Sequence, residues 1–155
     1  TRKEEKISKI QELKADQFGS SVADGKTLTC ALAKLYIYGL VWQETKHNHR
    51  EIVREKIKSS IKNLSKNFIK LSRNTLDKSR LNELLRLMLN HEQKHPNDTH
   101  PPLKERMKNL KVKESDITNK DLINFLPSAS SLISNVEVVE ENLTFVETEI
   151  EKRIV

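Results

Sequence analysis

The sequence has few of the residues that interrupt helices or cross-link chains. Its 155 residues include three glycines, four prolines and one cysteine, and aromatic residues make up 5% of the total. A single cysteine excludes an intrachain disulfide framework, and scarce glycine and proline argue against a sandwich of short strands joined by tight turns. Few aromatic side chains are available to stack on bases, so nucleic acid is not an expected partner.

Long apolar runs are also missing. No stretch reaches the roughly 18 apolar residues that read as a membrane-spanning helix, and no signal-peptide pattern opens the sequence. We therefore expect a soluble segment. Cys30 lies in an apolar run and is expected to be a small buried residue, which fits either a reducing compartment or one whose redox state does not matter to this chain.

Charged helix formers dominate what is present. Charged residues make up 32% of the chain, which carries a formal net charge of +6 and a pI of about 9.4. We predict a mainly α fold of about five to six helices. The first helix spans residues 3–22, Asp24-Gly25 is a break, and Thr27 caps a second helix over about residues 28–39.

A basic stretch at residues 44–80 shows the clearest helical periodicity. Apolar residues recur at spacings of four and three, at Ile57, Ile61, Leu64, Phe68 and Leu71. Lysines occupy the other positions, at Lys56, Lys58, Lys62, Lys66 and Lys70. A solvated surface explains these lysines. The alternative is a basic helical binding module that docks on an acidic partner or an anionic membrane surface.

The tail differs in pattern. Val136-Glu-Val-Val and Thr144-Phe-Val-Glu-Thr alternate apolar and polar residues, which predicts a small C-terminal β-hairpin. We accordingly divide the chain into a helical part at 1–111, which contains the basic stretch, and a C-terminal extension at 112–155.

Two carboxylates near the start form the first candidate site. Glu12 and Asp16 are four residues apart, so a helix would place them on one face. One carboxylate could reach a metal held by another helix while the second orients a histidine ligand. Two carboxylates at this spacing also occur on many solvated helices, where they have no such role.

A Thr-His-Pro-Pro segment at 99–102 forms the second candidate. Pro101 is suited to the first position of a helix. His100 would then precede that helix and Arg106 would lie within it, where both could face negative charge that develops on a substrate oxygen.

The order of these motifs resembles the HtpX and CAAX-prenyl-protease family of zinc metallopeptidases. The ordered set is Glu-x-x-Ala-Asp, the small-residue helix Leu-Thr-Cys-Ala-Leu-Ala-Lys-Leu at 28–35, and Thr-His-Pro-Pro-x-x-x-Arg at 99–106. The resemblance covers roughly residues 8–111. It implies a zinc-dependent endopeptidase in which a His-Glu-x-x-His helix supplies two ligands and the general base, and a polypeptide is the substrate. It also implies that the parent protein is membrane-associated.

Carried over by position, each candidate residue acquires a role that the resemblance implies. Glu12 resembles the third zinc ligand, Asp16 its second-shell partner, and His100 with Arg106 the substrate-facing catalytic pair. Eleven residues precede Glu12, and they contain no His-Glu-x-x-His. We therefore expect a C-terminal segment of such an enzyme that is inactive and binds zinc poorly by itself.

A literal His-Glu-x-x-His occurs elsewhere, at His91-Glu92-Gln-Lys-His95. Two histidines one helical turn apart can hold zinc while the glutamate polarises water. Pro96 follows immediately and disfavours helical geometry at His95. A self-contained zinc site on this segment is the second alternative.

Overall fold

A computed structural model describes residues 2–55, 61–90, 100–123 and 132–154, with side chains from residue 7 to residue 153 within those ranges. Seven α-helices and one short 3-10 helix form this part of the chain, which contains no strand. The predicted mainly α fold is confirmed. The α-helices are α1 (Arg2–Ala23), α2 (Gly25–Arg54), α3 (Leu64–Thr75), α4 (Lys78–Asn90), α5 (Leu103–Asn109), α6 (Asn119–Ile123) and α7 (Val136–Ile154), and the 3-10 helix is Glu114–Asp116.

The predicted C-terminal hairpin is wrong, because α7 occupies the whole of that segment. Residues 139–144 contain no glycine or proline to make the turn that a hairpin needs. Glutamate is abundant in the segment and favours a helix. The alternation is short, and its apolar residues also recur at spacings of three and four, which is the helical period.

The chain divides into two compact units. The first comprises residues Thr1–Ile37 and Lys78–Asn124, and the second comprises Tyr38–Asp77 and Phe125–Val155. Helix α2 contributes its first part to one unit and its second part to the other. The predicted division into 1–111 and 112–155 stays a prediction.

An apolar core holds the first unit together. Helix α5 packs against α1 and α4, and α4 also packs against α6. Leu81 of α4 and Leu122 of α6 are fully buried. Burying one leucine stabilises the fold by about 2 kcal/mol. The other buried apolar residues of this unit are Cys30, Ala33, Ile37, Leu84, Leu85, Met88, Leu89, Met107 and Ile117.

A single residue, Asp24, separates α1 from α2. Asp24 has a φ of 57°, in the left-handed region, and its Oδ1 accepts a hydrogen bond from the backbone N–H of Thr27 at 2.8 Å. Asp24 therefore caps α2, which begins at Gly25 and continues to Arg54, so the predicted cap and helix bounds are wrong. A Cβ on Gly25 would lie 2.9 Å from the carbonyl oxygen of Leu110, so this close approach requires glycine.

The second unit has a mostly polar interior. Val41 and Leu64 are the buried apolar residues in its described part. Trp42 and Tyr38 of α2 lie edge-on to Phe68 of α3, with ring centroids 5.6 and 6.2 Å apart. The buried polar residues are more numerous: Thr45, His49, Asn63, Ser72, Thr144 and Glu151.

Candidate functional site

Helices α1 and α5 of the first unit bring the four predicted site residues together. Glu12 and Asp16 lie one turn apart on α1, while His100 precedes α5 and Arg106 lies within it. Pro101 is buried, but α5 begins at Leu103 with Pro102 as its N-cap, so the prediction that Pro101 occupies the first helical position is wrong. Packing of α1 on α5 therefore juxtaposes motifs that are about ninety residues apart in the sequence.

Asp16 and Arg106 form a bidentate ion pair. Arg106 donates from Nε to Oδ2 of Asp16 at 2.8 Å and from Nη2 to Oδ1 at 2.6 Å. Asp16 is 3% exposed. The hydrogen bond to Asp16 raises the pKa of the Arg106 guanidinium, which is charged at neutral pH. Fork geometry of this kind is the strongest form of a carboxylate–guanidinium contact.

Glu12 lies between the histidine and the arginine. Its Oε1 is 2.5 Å from Nδ1 of His100, and its Oε2 is 3.6 Å from Nη1 of Arg106. Because a carboxylate accepts, Nδ1 of His100 carries the proton, and a neutral ring then has its lone pair on Nε2. The His100 side chain is 73% exposed and that of Glu12 is 24% exposed. The carboxylate thus orients an imidazole that is accessible to solvent.

Two amide side chains fix the relation between these helices, and the sequence motifs did not reveal them. Asn109 donates from Nδ2 to the carbonyl oxygen of Leu13 at 2.9 Å, and Gln17 donates to Oδ1 of Asn109 at 3.1 Å. Asn109 follows Arg106 by three residues and so lies on the same face of α5. That spacing was the only available signal, and it is weak without knowledge of the α1 contact.

The described residues do not fit a complete zinc site. A catalytic zinc needs three protein ligands, and no group of three or more His, Cys, Asp or Glu side chains is placed to hold a metal in the ranges that the structure covers. Glu12 could supply one oxygen ligand. The Arg106 guanidinium beside it opposes cation binding at this carboxylate by itself.

The alternative zinc segment and part of the basic stretch lie outside the described residues. His91, Glu92 and His95 all fall in the gap at 91–99, so that site stays a prediction. Lys56 and Lys58 fall in the gap at 56–60. Lys62 is exposed, Lys66 forms an ion pair with Glu137 of α7, and Lys70 lines a shallow cavity of 190 Å³ with Asn48, Asn67 and Asn74 among its neighbours.

No protein-family model, curated protein or solved structure matches the chain. None of the helices in the described ranges combines the length and the apolar character that crossing a bilayer requires.

Proposed function

We propose that this chain is the C-terminal segment of a zinc-dependent endopeptidase, to which it contributes the third zinc ligand and two substrate-facing residues. Glu12 is the ligand, and the other two protein ligands are histidines of a His-Glu-x-x-His helix outside this chain. Zinc supplies Lewis-acid chemistry in such a site. A polypeptide is the substrate, and the parent protein associates with a membrane.

One observation supports this proposal above the others. Four residues selected by motif order alone, Glu12, Asp16, His100 and Arg106, lie within one hydrogen-bonded cluster. A histidine and an arginine picked at random from a chain of this length would not be expected to contact these two carboxylates. A functional site needs side chains that contact one another in this way.

Each residue acts through the contact that it makes. The buried Asp16 carboxylate holds Arg106 in one orientation, and the hydrogen bond between Nδ1 of His100 and Glu12 orients the imidazole. A cationic guanidinium and an oriented imidazole at one edge of a carboxylate suit recognition of a polarised carbonyl oxygen. Asp16 is thus a positioning residue for Arg106.

The test is a zinc titration of the purified chain by calorimetry, with Glu12→Gln as the matched variant. We expect weak binding in the unmodified chain, further weakened in Glu12→Gln, and no zinc-dependent peptide cleavage by either. Tight one-to-one binding that survives Glu12→Gln and is lost in His91→Ala or His95→Ala would instead support a self-contained site at 91–95.

A further inference from the structure

Helix α7 is acidic, and it packs on a basic part of the same unit. Its 19 residues include six glutamates, against Lys152 and Arg153. Residues 38–77, the other main part of the second unit, contain nine lysines and arginines against four acidic residues. Opposite net charges therefore favour the docking of α7 within this unit.

Two ion pairs hold the C-terminal half of α7 against α2. Lys46 lies 2.5 Å from Glu147, and Arg50 donates from Nε to Glu151 at 2.8 Å. The two cations are one turn apart on α2, and the two carboxylates are one turn apart on α7, so the pairs lie side by side.

The N-terminal half of α7 contacts the start of α3 in a similar way. Lys66 forms an ion pair with Glu137, and the side-chain amide of Asn63 donates to Glu140 at 3.0 Å. Four carboxylates of α7 therefore each meet a donor of α2 or α3. We call these carboxylates, at residues 137, 140, 147 and 151, the inward glutamates. We call their four donors the docking surface: Lys46, Arg50, Asn63 and Lys66.

These polar contacts hold α7 weakly. Val41 and Leu64 are the buried apolar residues in the described part of the second unit, so little apolar burial adds to the hydrogen bonds and ion pairs. The ion pairs of Lys46 and Lys66 are partly exposed, and such pairs contribute little each and weaken as salt screens them. Another acidic group can therefore replace a carboxylate of α7 on the docking surface.

An exposed cation lies beside the docking surface. Lys70 follows Lys66 by one turn on the same face of α3, is exposed, and lines the 190 Å³ cavity with Thr45 and Asn48 of α2. An acidic partner can contact Lys70 while α7 remains docked. Aromatic residues make up 5% of the chain, so bases find few rings to stack on, which favours a polypeptide over single-stranded nucleic acid as that partner.

We propose that α7 is an autoinhibitory strap and that the docking surface binds an acidic helix of a partner polypeptide, which displaces α7. The partner presents carboxylates at the spacings of the inward glutamates, because those positions match the four donors. Binding exchanges one set of ion pairs for an equivalent set, so the apparent affinity depends on the fraction of molecules in which α7 is released. This role does not depend on the zinc-dependent activity proposed for the first unit.

The first test measures the binding of an acidic peptide to the full chain. The probe is a fluorescent alanine-based peptide as long as α7, with glutamate at the positions of the inward glutamates and alanine elsewhere. Fluorescence anisotropy at about 50 mM salt, where ion pairs are little screened, gives its dissociation constant. A peptide of the same composition with its glutamates in one block is the control for spacing.

Two double variants of α7 lose the same charge in different places. Glu147→Gln with Glu151→Gln weakens the hold on α7 and should tighten peptide binding at least about 5-fold. Glu141→Gln with Glu149→Gln should bind the peptide as the unmodified chain does, because Glu141 is exposed and Glu149 pairs with Lys152 of α7 itself. Circular dichroism checks that both variants keep their helix content.

The second test follows α7 itself by hydrogen exchange. In the unmodified chain, saturating peptide should speed the exchange of the α7 backbone amides, because the displaced helix loses its contacts, and should leave α4 unchanged. Lys46→Gln with Arg50→Gln breaks the same two ion pairs from the other side. This variant should bind the peptide at least about 5-fold more weakly than Glu147→Gln with Glu151→Gln, because it also lacks two cations of the docking surface.

Three results would overturn the proposal. The first is equal peptide affinity in the two glutamate variants, or no binding to either. The second is peptide binding that leaves the hydrogen exchange of α7 unchanged. The third is equally tight binding of the block peptide or of a single-stranded oligonucleotide with the same charge, which would show that the surface responds to charge alone.

Discussion

Both carboxylate oxygens of Asp16 accept hydrogen bonds from Arg106, a residue that lies 90 positions further along the chain. Asp16 is buried, and the Arg106 side chain is 19% exposed. A buried pair of this kind contributes little net stability compared with an apolar pair of similar size, yet removal of one partner is costly. The pair therefore makes the packing of α1 on α5 specific.

The first prediction concerns this pair. Arg106→Met leaves the Asp16 carboxylate buried without its cation, so the free energy of unfolding should fall by about 3 kcal/mol. Urea denaturation followed by circular dichroism measures the change. The double variant Asp16→Leu with Arg106→Met should recover most of the loss. Equal destabilisation in the single and double variants would show that altered packing, and not the unpaired charge, lowers the free energy of unfolding.

The second prediction concerns His49, which is 2% exposed in the second unit. Its Nε2 lies 3.0 Å from Oγ1 of Thr148. That hydroxyl donates to the carbonyl oxygen of Thr144 and so accepts from His49. Within the described residues Nδ1 has no hydrogen-bond partner. The ring is therefore held in its neutral form.

Burial lowers the pKa of His49, and Lys46 acts in the same direction, while Glu147 and Glu151 oppose it. Because the pKa is lower in the folded chain than in the unfolded one, its stabilising effect is present above the unfolded value of about 6.5 and is lost as the pH falls below that value. Urea unfolding followed by Trp42 fluorescence should show a lower midpoint at pH 5.5 than at pH 7.5. His49→Gln should remove most of this difference, and His47→Gln, at an exposed neighbouring position, should not.

The third prediction concerns the stability of the fold at acid pH. Hydrogen bonds from the Thr118 side chain and backbone, together with one from Lys26, lower the pKa of Asp121 to about 2. The folded value lies below the unfolded value of 3.8, so Asp121 stabilises the fold above pH 3.8, and this effect is lost as the pH falls towards 2. Asp121→Asn should reduce the urea midpoint at pH 7 and converge with the unmodified chain near pH 2. A constant difference across this range would contradict the assignment.

The fourth prediction concerns the C-terminal end of α5. Lys111 has a φ of 57°, and the backbone N–H of Val112 donates to the carbonyl oxygen of Met107 at 3.0 Å, as in a Schellman motif. Glycine adopts this conformation without the Cβ penalty. Lys111→Gly should raise the free energy of unfolding by about 0.5–1 kcal/mol. Lys108→Gly, inside the helix, should lower it by about 1 kcal/mol.

The sequence predicted the helical class because helices depend on local signals, whereas the site roles of the four residues that it singled out stay predictions. Periodicity and the scarcity of turn residues define helices, and motif order selected Glu12, Asp16, His100 and Arg106. The mutual contacts of those residues could not be predicted from spacing, since they depend on how α1 packs on α5. Asn109, which fastens the two helices, belonged to no motif.

Helix α7 shows where local pattern misleads. Its alternating valines suggested strands. The segment is instead a helix, and Glu147 and Glu151 form ion pairs with Lys46 and Arg50 of α2. They are contacts between residues about a hundred positions apart, which no local pattern encodes.

The most direct test of the proposed function uses free imidazole in place of the two histidine ligands that the proposal places outside this chain. Equilibrium dialysis measures zinc bound to the chain with and without imidazole, for the unmodified chain and for Glu12→Gln. We predict that imidazole increases bound zinc in the unmodified chain and has no such effect in Glu12→Gln, because the proposed function makes the Glu12 carboxylate a zinc ligand. An imidazole effect of equal size in both chains, or no effect in either, would contradict the assignment of Glu12 as a zinc ligand.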